Sequence, residues 1–546
     1  MNTVSKAQGR LAHQRWLGST LVRAGLVAPL RPDKYLRMAQ VIRRQGVTAM
    51  TGIGLSAARR PHATALMDER GRLTWAELEA RSNALTVGLA GLRRDRGQSV
   101  AILCRNHRGF VESLYAASLL GADALLLNTG FSGPQLADVL SREGAGLVVY
   151  DEEFAPLLEQ AREKLPELVE VVAWTDGRPD APTVDGLIEQ HAGSVPGTPR
   201  RSGRTILLTS GTTGTPKGAA RSGGGGPAAL AAMLDRIPWR AEETTVVAAP
   251  MFHAWGFGQL AISATLTCTV VMRRRFDPEA TLGLVDSTGA SGLAVVPVML
   301  ERIMDLPAEV LDRYRLDTLR FVTASGSRMR PDAVTGFMDR FGDTVHNSYN
   351  ATEAGLITTA VPADLRVAPD TAGLAVVGTE LRILDSDGRE VPTGEVGRIT
   401  VRSDSHFEGY TSGDTKDFDD GYMVSGDVGR LDEVGRLYVV GRDDEMIVSG
   451  GENVYPLEVE ETLGAHSGVR EAAVIGVDDE AYGQRLAAYV VLEPGTEVTP
   501  AELKAHVKEH LAGYKVPRDV TLLDDLPRNA SGKIMKRELS SPDGQH

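Results

Sequence analysis

Residues 205–218 read TILLTSGTTGTPKG, an apolar run followed by a Gly- and Thr-rich segment. Its first four residues, 205–208, form an apolar run that is typical of a buried strand. The Gly- and Thr-rich segment that follows can bring N–H groups and hydroxyls close to phosphate oxygens, and Lys217 adds a cation. Pro216 precedes the lysine and Gly218 follows it, so the Walker pattern is not matched. The residues predict a strand and a phosphate-binding loop, with a polar surface loop as the alternative.

Apolar runs alternate with helical segments on both sides of this stretch, from about residue 60 to 360. This alternation is typical of layered α/β domains with a mostly parallel sheet. The strands that we predict are 99–103, 146–150, 205–208 and 319–323, and the helices are 75–92 and 132–143.

The pattern changes after about residue 373. Short strands separated by turns such as Asp387-Gly388 predict a small antiparallel barrel or sandwich at about 373–440. Further along, Thr499 and Glu502 match a helix capping box, and we expect that helix to continue to about Leu511. Strands at 472–477 and 487–492 precede it, which predicts a compact α+β unit at the end of the chain.

The net charge argues against nucleic acid as a partner. The chain has 59 Lys and Arg residues against 72 Asp and Glu residues, a formal charge of −13, which is poorly suited to neutralising a phosphate backbone. Residues 1–60 differ, with eleven basic residues and one acidic residue. Together with Trp16 and Leu17, this basic segment is a candidate for contact with anionic lipid. Helices that cap the protein's own N-terminal domain are the alternative.

The sequence favours a cytoplasmic protein. The N-terminus lacks the apolar core and cleavage site of a secretory signal, and two cysteines, Cys104 and Cys268, are too few for a disulfide framework. Residues 246–272 contain no Asp, Glu, Lys or Arg and are long enough to span a bilayer. Pro250 and polar residues such as Gln259 favour a buried strand, loop and helix instead. We expect peripheral contact with the inner face of the membrane only through residues 1–60.

Five motifs make the chain resemble the adenylate-forming superfamily of acyl-CoA synthetases, carrier-protein adenylation domains and luciferases. They occur in the family's order and are TSGTTGTPKG (209–218), PMFHAWG (250–256), NSYNATEAG (347–355), SGDVGRLDEVGRLYVVGRDDEMIVSGGENVYPLEVE (425–460) and NASGKIMKREL (529–539). The resemblance covers about residues 58–540. It is specific, because five motifs in one order do not arise by chance.

The resemblance implies an α/β fold with a large N-terminal domain of layered subdomains plus a small β-barrel, followed by a small mobile α+β C-terminal domain. The expected parts are a basic extension at 1–57, an AMP-binding domain at 58–440, a hinge at 441–444 and a C-terminal domain at 445–546. The barrel-like part of the AMP-binding domain is expected at about 373–440.

The resemblance also implies a two-step reaction with ATP, Mg²⁺ and coenzyme A. A carboxylate attacks the α-phosphate of ATP to give an acyl-adenylate and pyrophosphate, and a thiol then displaces AMP to give a thioester. The first step joins two anions, so the protein must supply positive charge and positioning.

Residues at the family's nucleotide positions follow from the motifs. The phosphate-loop residues are Thr209, Ser210, Gly211, Thr212, Thr213, Gly214 and Lys217, and the other expected nucleotide contacts are Gly326, Ser327, Tyr349 on adenine, Asp427 on the ribose and Arg442. Thr352 matches the hydroxyl that contacts the α-phosphate, and Glu353 matches the magnesium carboxylate.

Lys533 matches the catalytic lysine that bridges the carboxylate and the α-phosphate. The chain has ten lysines, five of them after residue 500, so a lysine here invites an explanation, although base composition also explains a bias toward arginine. His253 resembles the gate residue beside the carboxylate pocket, and Asp444 resembles the hinge. The expected coenzyme A contacts are Ser449, Gly450, Gly451, Tyr514 and Lys515.

Three positions depart from the family pattern. Asn350 stands where glycine is usual, Arg328 where proline is commoner, and glycines 223–226 where a helix start usually carries Ser-His. None of these changes removes a charge that the chemistry needs, so we expect activity with an altered pocket.

The function that we expect is the ligation of a medium- or long-chain fatty acid to coenzyme A. Residues 251–259 and 295–300 are apolar and suit an alkyl chain. The alternatives are a fatty acyl-AMP ligase that loads a carrier protein, a silent adenylate-binding regulator and, from residues 246–272 alone, a membrane transporter. The expected partners are fatty acid, ATP and coenzyme A, with a homodimer and no nucleic acid.

Overall fold

The computed structural model describes residues 3–93, 99–209, 217–221, 226–403, 409–413, 415–449, 452–479, 483–529 and 532–539. Internal packing divides the chain into two units. The first contains residues 1–379 and 403–415, and the second contains residues 380–402 and 416–546. The mixed α/β architecture predicted from the sequence is confirmed.

The first unit begins with helices and then alternates strands with helices. Its helices are α1 (Thr3–Arg23), α2 (Pro32–Gln45), α3 (Thr51–Arg59), α4 (Trp75–Leu92), α5 (Arg108–Leu120), α6 (Gly133–Arg142), α7 (Glu159–Lys164), α8 (Val184–Gln190), α9 (Gly226–Arg236), α10 (Ala254–Thr265), α11 (Pro278–Thr288), α12 (Pro297–Met304), α13 (Ala308–Leu311), α14 (Pro331–Phe341) and α15 (Pro362–Val367). A 3-10 helix at Glu152–Leu158 precedes α7.

The strands of this unit build two sheets. They are β1 (Thr64–Asp68), β2 (Gly71–Thr74), β3 (Ser99–Leu103), β4 (Ala124–Leu126), β5 (Ala145–Asp151), β6 (Val169–Trp174), β7 (Thr205–Thr209), β8 (Lys217–Arg221), β9 (Thr244–Val247), β10 (Thr269–Val271), β11 (Gly292–Val295), β12 (Phe321–Ser325), β13 (Val345–Ala351), β14 (Gly355–Ala360) and β15 (Leu374–Ala375).

One sheet has the strand order β6-β5-β3-β4-β7-β8. Its strands from β6 to β7 pair in parallel, and β8 returns antiparallel to β7. The other sheet has the order β15-β14-β13-β12-β11-β9-β10-β1-β2 and is parallel from β13 to β1. The predicted parallel sheet is therefore present, with antiparallel strands at its edges.

A single buried apolar cluster contains residues from both sheets and from helices α4, α5 and α10. The local signals that start these helices are visible in the structure. Thr74 and Glu77 form a capping box before α4, which runs over the predicted residues 75–92. β12 begins at Phe321 instead of residue 319, because the Leu319 N–H is used in a turn to the carbonyl of Leu316.

Within its described residues, the second unit contains two smaller sheets and three α-helices. Its elements are β16 (Thr379–Leu384), β17 (Gly397–Ser403), β18 (Phe418–Asp419), β19 (Tyr422–Leu431), β20 (Leu437–Arg442), β21 (Ile447–Ser449), β22 (Glu452–Val454), α16 (Pro456–Gly464), β23 (Val469–Asp479), β24 (Gly483–Leu492), α17 (Pro500–His510), β25 (Asp519–Leu523) and α18 (Lys536–Leu539).

β16 to β20 form one sheet and β21 to β25 form the other. In the latter, alternate residues of β23 and β24 face opposite layers. Val474 and Ala488 pack with α16 and α17, whereas Ile475 and Ala487 pack with Leu539 of α18. α17 starts at the capping box of Thr499 and Glu502, as predicted.

The uncharged segment 246–272 folds as the end of β9, a loop, the twelve-residue helix α10 and β10. No helix formed by the described residues has both the length and the apolar character needed to cross a bilayer. The buried strand, loop and helix predicted for this segment are confirmed.

Candidate functional site

A tyrosine joins two of the predicted site residues in the first unit. Glu353 lies in the tight connection between β13 and β14, is buried, and accepts a hydrogen bond of 2.5 Å at Oε1 from the hydroxyl of Tyr410. The ammonium of Lys217, at the start of β8, lies 5.4 Å from the centre of the Tyr410 ring. At this distance a cation is attracted to the ring face. Lys217 and Glu353, widely separated in sequence, therefore share one contact residue.

The backbone around Tyr410 is held against β8. The N–H of Thr411 donates to the carbonyl of Gly218 at 2.8 Å, and the N–H of Ala220 donates to the carbonyl of Gly409. Residues 409–411 thereby add a short antiparallel segment beside β8. Gly218 permits this approach, because a Cβ there would lie 2.7 Å from the hydroxyl oxygen of Thr411.

The predicted phosphate loop connects β7 to β8. These strands pair antiparallel in register, with Thr209 opposite Lys217, so the loop begins and ends at one edge of the sheet. Ser210, Gly211, Thr212, Thr213 and Gly214 lie outside the described residues, as do the side chain of Thr209 and glycines 223–225. The structure thus fixes the two strand ends from which the loop departs.

The other nucleotide positions of the first unit follow neighbouring parallel strands. Tyr349 lies near the end of β13, where the register with β14 shifts between Tyr349 and Asn350. Gly326 and Ser327 follow β12 directly and are exposed, and Gly326 has a φ of 115°. The ends of adjacent parallel strands meet at one edge of a sheet, which is where α/β folds bind ligands.

Thr352 and His253 also lie on connections. Thr352 precedes Glu353 in the β13–β14 connection and is half-buried. His253 is the residue at the N-cap of α10, is half-buried, and its ring centre lies 4.5 Å from that of Phe252. The structure brings Lys217 and Glu353 together through Tyr410, and it places His253 at the start of the helix that follows β9.

Glu353 fits the predicted magnesium ligand in its chemistry. Mg²⁺ in nucleotide sites is commonly bound through one or two carboxylates together with phosphate oxygens and water. Tyr410 engages one oxygen of the buried Glu353 carboxylate, which fixes the orientation of the group. A charge-assisted O–H···O⁻ bond of this length holds a carboxylate firmly.

In the second unit, Arg442 bridges two carboxylates. Its Nη1 lies 3.1 Å from Oδ1 of Asp427, and its Nε lies 2.9 Å from Oδ1 of Asp444. β19 and β20 create this geometry by pairing Asp427 directly opposite Arg442. Burial disfavours the guanidinium charge, but Asp427 and Asp444 outweigh it and raise the pKa of Arg442 further above its usual range. Asp427, Arg442 and Asp444, which were predicted as the ribose contact, a further nucleotide contact and the hinge, thus form one ion-pair group.

Lys533 is presented by a tight turn. The side chain of Asn529 accepts from the N–H of Lys533 at 2.9 Å, and the N–H of Asn529 donates to the Lys533 carbonyl. Gly532 has a φ of 82°, a conformation that glycine adopts without strain. Arg528 donates to the carbonyl of Gly532 and pairs with Glu471 of β23, which ties the turn to the sheet. Lys533 itself is exposed.

The predicted coenzyme A positions are spread over the second unit. Ser449 ends β21, and Gly450 and Gly451 lie outside the described residues. Tyr514 and Lys515 form a 3-10 turn after α17. Tyr514 is 43% exposed, whereas the Lys515 ammonium lies 2.6 Å from a carboxylate oxygen of Glu458. In this structure, Lys515 is therefore engaged with α16.

Two contacts of the candidate site were not predicted from the sequence. Tyr410 stands in no motif used above, and the signal that could have indicated it is an aromatic residue within a Gly- and Ser-containing turn.

Lys536, in the second unit, is the other contact, and its ammonium lies 3.0 Å from a carboxylate oxygen of both Glu445 and Glu460. Burial lowers and the two carboxylates raise the pKa of Lys536, with a net rise. Lys536 thus links α18 to the segment that follows Asp444.

A second titratable cluster, Cys104, His107 and Asp151, is fully buried in the first unit. His107 accepts from the N–H of Gly109 at Nδ1, so its Nε2 carries the proton that it shares with Asp151 at 2.7 Å. Burial, followed by Asp151, raises the pKa of the Cys104 thiol well above its usual value. Cys104, His107 and Asp151 thus form a buried group of polar side chains within the first unit.

Comparisons with known proteins find two family matches along the chain. Residues 55–411 match the family described as AMP-binding enzyme, and residues 458–533 match the AMP-binding enzyme C-terminal domain. A feruloyl-CoA synthase of Amycolatopsis sp is 33% identical over 503 residues, which are 89% of this chain and 98% of that protein. A fatty acid–[acyl-carrier-protein] ligase, ScoC of Streptomyces coeruleorubidus, is 30% identical over 88% of this chain and 94% of its own length.

A solved structure shares the fold as well. The o-succinylbenzoate CoA synthetase of Bacillus subtilis, in complex with its acyl-adenylate intermediate, superposes with a TM-score of 0.77 at 28% identity. The likeness covers 90% of this chain and 98% of that chain.

Proposed function

Because the chain belongs to the family of AMP-binding enzymes, which form acyl-adenylates, we propose that it is an ATP-dependent acid–CoA ligase. The observation that carries the proposal is the buried Glu353, held by Tyr410, whose ring also faces Lys217 beside the phosphate-loop strands. CoA ligases of this family use ATP and Mg²⁺, with coenzyme A as the thiol substrate. The named relatives act on a feruloyl, a fatty acyl and a succinylbenzoate group.

The proposed first step joins a carboxylate to the α-phosphate of ATP. A carboxylate oxygen attacks the α-phosphorus, and the bond to the β-phosphate oxygen breaks and releases pyrophosphate. Lys217 and the loop that it ends would hold the outer phosphates, and Thr352 would contact the α-phosphate. Glu353 would hold Mg²⁺, which supplies positive charge to the phosphates when bound.

The proposed second step uses the same carbonyl. The sulfur of coenzyme A attacks the acyl carbon, the bond to the AMP oxygen breaks, and the thiol proton leaves to solvent. Asp427 and Arg442 would hold the ribose, since a carboxylate can accept from two hydroxyls while the ion pair with the guanidinium orients it. Lys533 as the catalytic lysine, Asp444 as the hinge, and Ser449, Tyr514 and Lys515 as coenzyme A contacts stay predictions.

The acid is proposed to have an apolar body. Four buried apolar residues lie near the ends of neighbouring strands: Met251 and Phe252 before α10, Val295 at the end of β11 and Val298 in α12. This composition favours an alkyl or aromatic acid over a dicarboxylate. A medium- or long-chain fatty acid remains the expected substrate class, and an aryl acid is the competing one because two of the named relatives act on aromatic acids.

Transfer to a carrier protein is the second candidate function. The relative ScoC is named as a ligase of fatty acids to acyl-carrier protein. Lys515, a predicted coenzyme A contact, is paired with Glu458 in this structure, which gives the carrier route a specific observation in its favour. Free coenzyme A would have to compete with that ion pair.

We also propose that residues 1–60 serve two purposes. α3 is buried and packs on α10, where Ser56 donates to the carbonyl of Ala264 at 2.6 Å, so this part caps the protein's own domain. α2, in contrast, has no buried residue, and its Tyr35, Leu36 and Ile42 are exposed. Peripheral contact with anionic lipid is proposed for α2, and a homodimer stays a prediction.

Pyrophosphate release across a panel of acids tests the proposed function. The panel runs from acetate to long-chain fatty acids and includes cinnamic acids, each with and without coenzyme A. We expect acid-dependent pyrophosphate release and, with coenzyme A, stoichiometric AMP and thioester. Release without a thioester, followed by acyl transfer to a phosphopantetheinylated carrier protein, would favour the second candidate. The absence of acid-dependent release would contradict both.

A further inference from the structure

Gln259, in the middle of α10, is a polar residue with unmet hydrogen bonds in a buried position. Its side chain is fully inaccessible to solvent, and neither the amide nitrogen nor the amide oxygen finds a hydrogen-bond partner among the described residues. Buried side-chain amides are normally paired, because an unmet donor or acceptor loses its bonds to water without replacement. The position therefore needs an explanation beyond packing.

Contacts on either side of Gln259 locate it over the nine-stranded sheet. One turn before it, the Trp255 indole N–H donates to the carbonyl of Val295, at the end of β11, at 3.0 Å. One turn after it, Ile262 belongs to the buried cluster that contains Phe321, the first residue of β12. Residues four and three apart share a helix face. Gln259 therefore lies opposite the part of β11 and β12 between these two anchors.

The strand positions opposite Gln259 carry hydroxyls with unmet hydrogen bonds. Phe321, Thr323 and Ser325 alternate along β12 and so share the face that Phe321 turns toward the α10 cluster. Thr323 and Ser325 are fully buried, and neither hydroxyl finds a partner within the described part of the chain. Ala294 is the register neighbour of Thr323 on β11 and offers only a methyl group.

This face continues toward the predicted nucleotide positions. Ser325 pairs in register with Ser348 of β13, whose hydroxyl lies 3.1 Å from that of Thr359. Gly326 follows Ser325, and Tyr349 follows Ser348, so the polar positions end where the nucleotide contacts are proposed. The polar side chains on this face of β12 therefore end beside the proposed adenylation site.

We infer that Gln259, with Thr323 and Ser325, selects an acid whose apolar body carries a hydrogen-bonding group, namely a hydroxyl, carbonyl or amide. The inference rests on the proposed ligase function and narrows its substrate class. A purely alkyl acid would leave these three side chains without a hydrogen-bond partner from the substrate. Gln259 lies six residues after His253, about 9 Å along the helix axis. With the substrate carboxylate bound at His253, the hydrogen-bonding group of the acid is expected about 9 Å from that carboxylate.

The test compares acids in pairs that differ by one hydroxyl. The probes are 4-hydroxycinnamic against cinnamic acid and 8-hydroxyoctanoic against octanoic acid, and the measurement is kcat/KM for pyrophosphate release. We expect the wild-type enzyme to prefer the hydroxylated member of at least one pair about tenfold or more, since one lost hydrogen bond to a buried group has that effect. Gln259→Leu should abolish or reverse that preference, and Thr323→Val should reduce it.

Ser263→Ala is the matched control. Ser263 is also buried on α10, but its hydroxyl donates a hydrogen bond to the backbone carbonyl of Gln259. Loss of this hydroxyl should therefore leave the ratio of kcat/KM values within each pair of acids unchanged. Thermal unfolding of the Gln259→Leu variant checks that it folds. The ratio of the kcat/KM values for two acids, measured on one preparation, does not depend on the folded fraction. Equal ratios for wild type and Gln259→Leu, or a wild-type preference for the unsubstituted acid in both pairs, would overturn the inference. Failure of every acid to release pyrophosphate would instead contradict the ligase function on which it rests.

Discussion

The hydroxyl of Tyr410 donates a hydrogen bond of 2.5 Å to Oε1 of Glu353, 57 residues earlier in the chain. The same ring lies 5.4 Å from the ammonium of Lys217. One tyrosine therefore orients the proposed magnesium carboxylate and faces the proposed phosphate lysine. It does so because residues 409–411 pair with β8 and thus belong to the first unit, although the strands that precede and follow them in sequence belong to the second.

Tyr410→Phe should reduce adenylation while the protein stays folded. The substitution keeps the ring beside Lys217 and removes the bond to a buried carboxylate. Hydrogen bonds to charged groups contribute about 1.5–3 kcal/mol, so we expect kcat/KM for ATP in ATP–pyrophosphate exchange to fall about tenfold or more. Tyr422→Phe is the matched control, because the Tyr422 hydroxyl donates to Glu380, which has no predicted catalytic role. Equal activity of both variants would contradict the orienting role of Tyr410.

The parts of the fold that the sequence predicted are those with local signals. α4 and α17 start at capping boxes that are visible in four consecutive residues, and buried parallel strands such as β3 are continuous apolar runs. Membership of the family followed from five motifs. These signals need no knowledge of long-range contacts.

The contacts that escaped prediction are long-range ones. Tyr410 meets Glu353 only because the chain returns to the first unit at 403–415, and no local pattern encodes that return. Gln259 lies within the uncharged run 246–272, where composition indicates apolar lining. Its unmet hydrogen bonds become visible only when β12 is in place opposite α10. The motifs therefore predict which residues carry the chemistry, and the structure adds the long-range contacts that orient two of them.

Lys533→Ala should separate the two half-reactions. If Lys533 supplies a preorganised positive charge to the adenylation transition state, its loss should lower acid-dependent ATP–pyrophosphate exchange by roughly 10²–10³. Thioester formation from supplied acyl-adenylate should change little. Lys508→Ala is the control, since Lys508 is an exposed lysine near the end of α17. Equal losses in both half-reactions would contradict the assignment.

His346 predicts a dependence of stability on acid pH. Burial lowers the pKa of this β13 histidine from 6.5 to about 4. Between pH 6.5 and about pH 4, the unfolded chain therefore binds a proton at His346 that the folded chain does not bind. The free energy of unfolding is thus highest above about pH 6.5, and it falls as the pH drops toward 4. The loss from this group should reach about 3 kcal/mol. Urea unfolding from pH 7 to 4 should show a shallower decline for His346→Gln than for wild type, and the same decline as wild type for the exposed His13→Gln.

The last prediction concerns the exposed side of α2. Of the sixteen large hydrophobic side chains that are exposed among the described residues, seven lie at positions 11–47. Leu36 is 66% exposed and Ile42 is 43% exposed. Arg37, Arg43 and Arg44 lie on the same helix. Exposed apolar side chains on a helix that also carries arginines match the interfacial region of an anionic bilayer, where the apolar side chains are buried and the cations meet lipid phosphates.

Leu36→Glu with Ile42→Glu should therefore weaken binding to vesicles of phosphatidylglycerol and phosphatidylcholine about tenfold or more, because two apolar side chains are no longer buried and two like charges approach an anionic surface. Cosedimentation measures the bound fraction. Val367→Glu with Val434→Glu, at two exposed valines outside residues 1–60, is the matched control and should bind as wild type does. Wild-type binding should also fall with added salt, since arginine attraction is screened. Both double variants should retain ATP–pyrophosphate exchange. A loss of vesicle binding by the α2 variant, with its activity intact, assigns α2 to the lipid surface. Equal binding by wild type and both double variants would refute the lipid contact of α2.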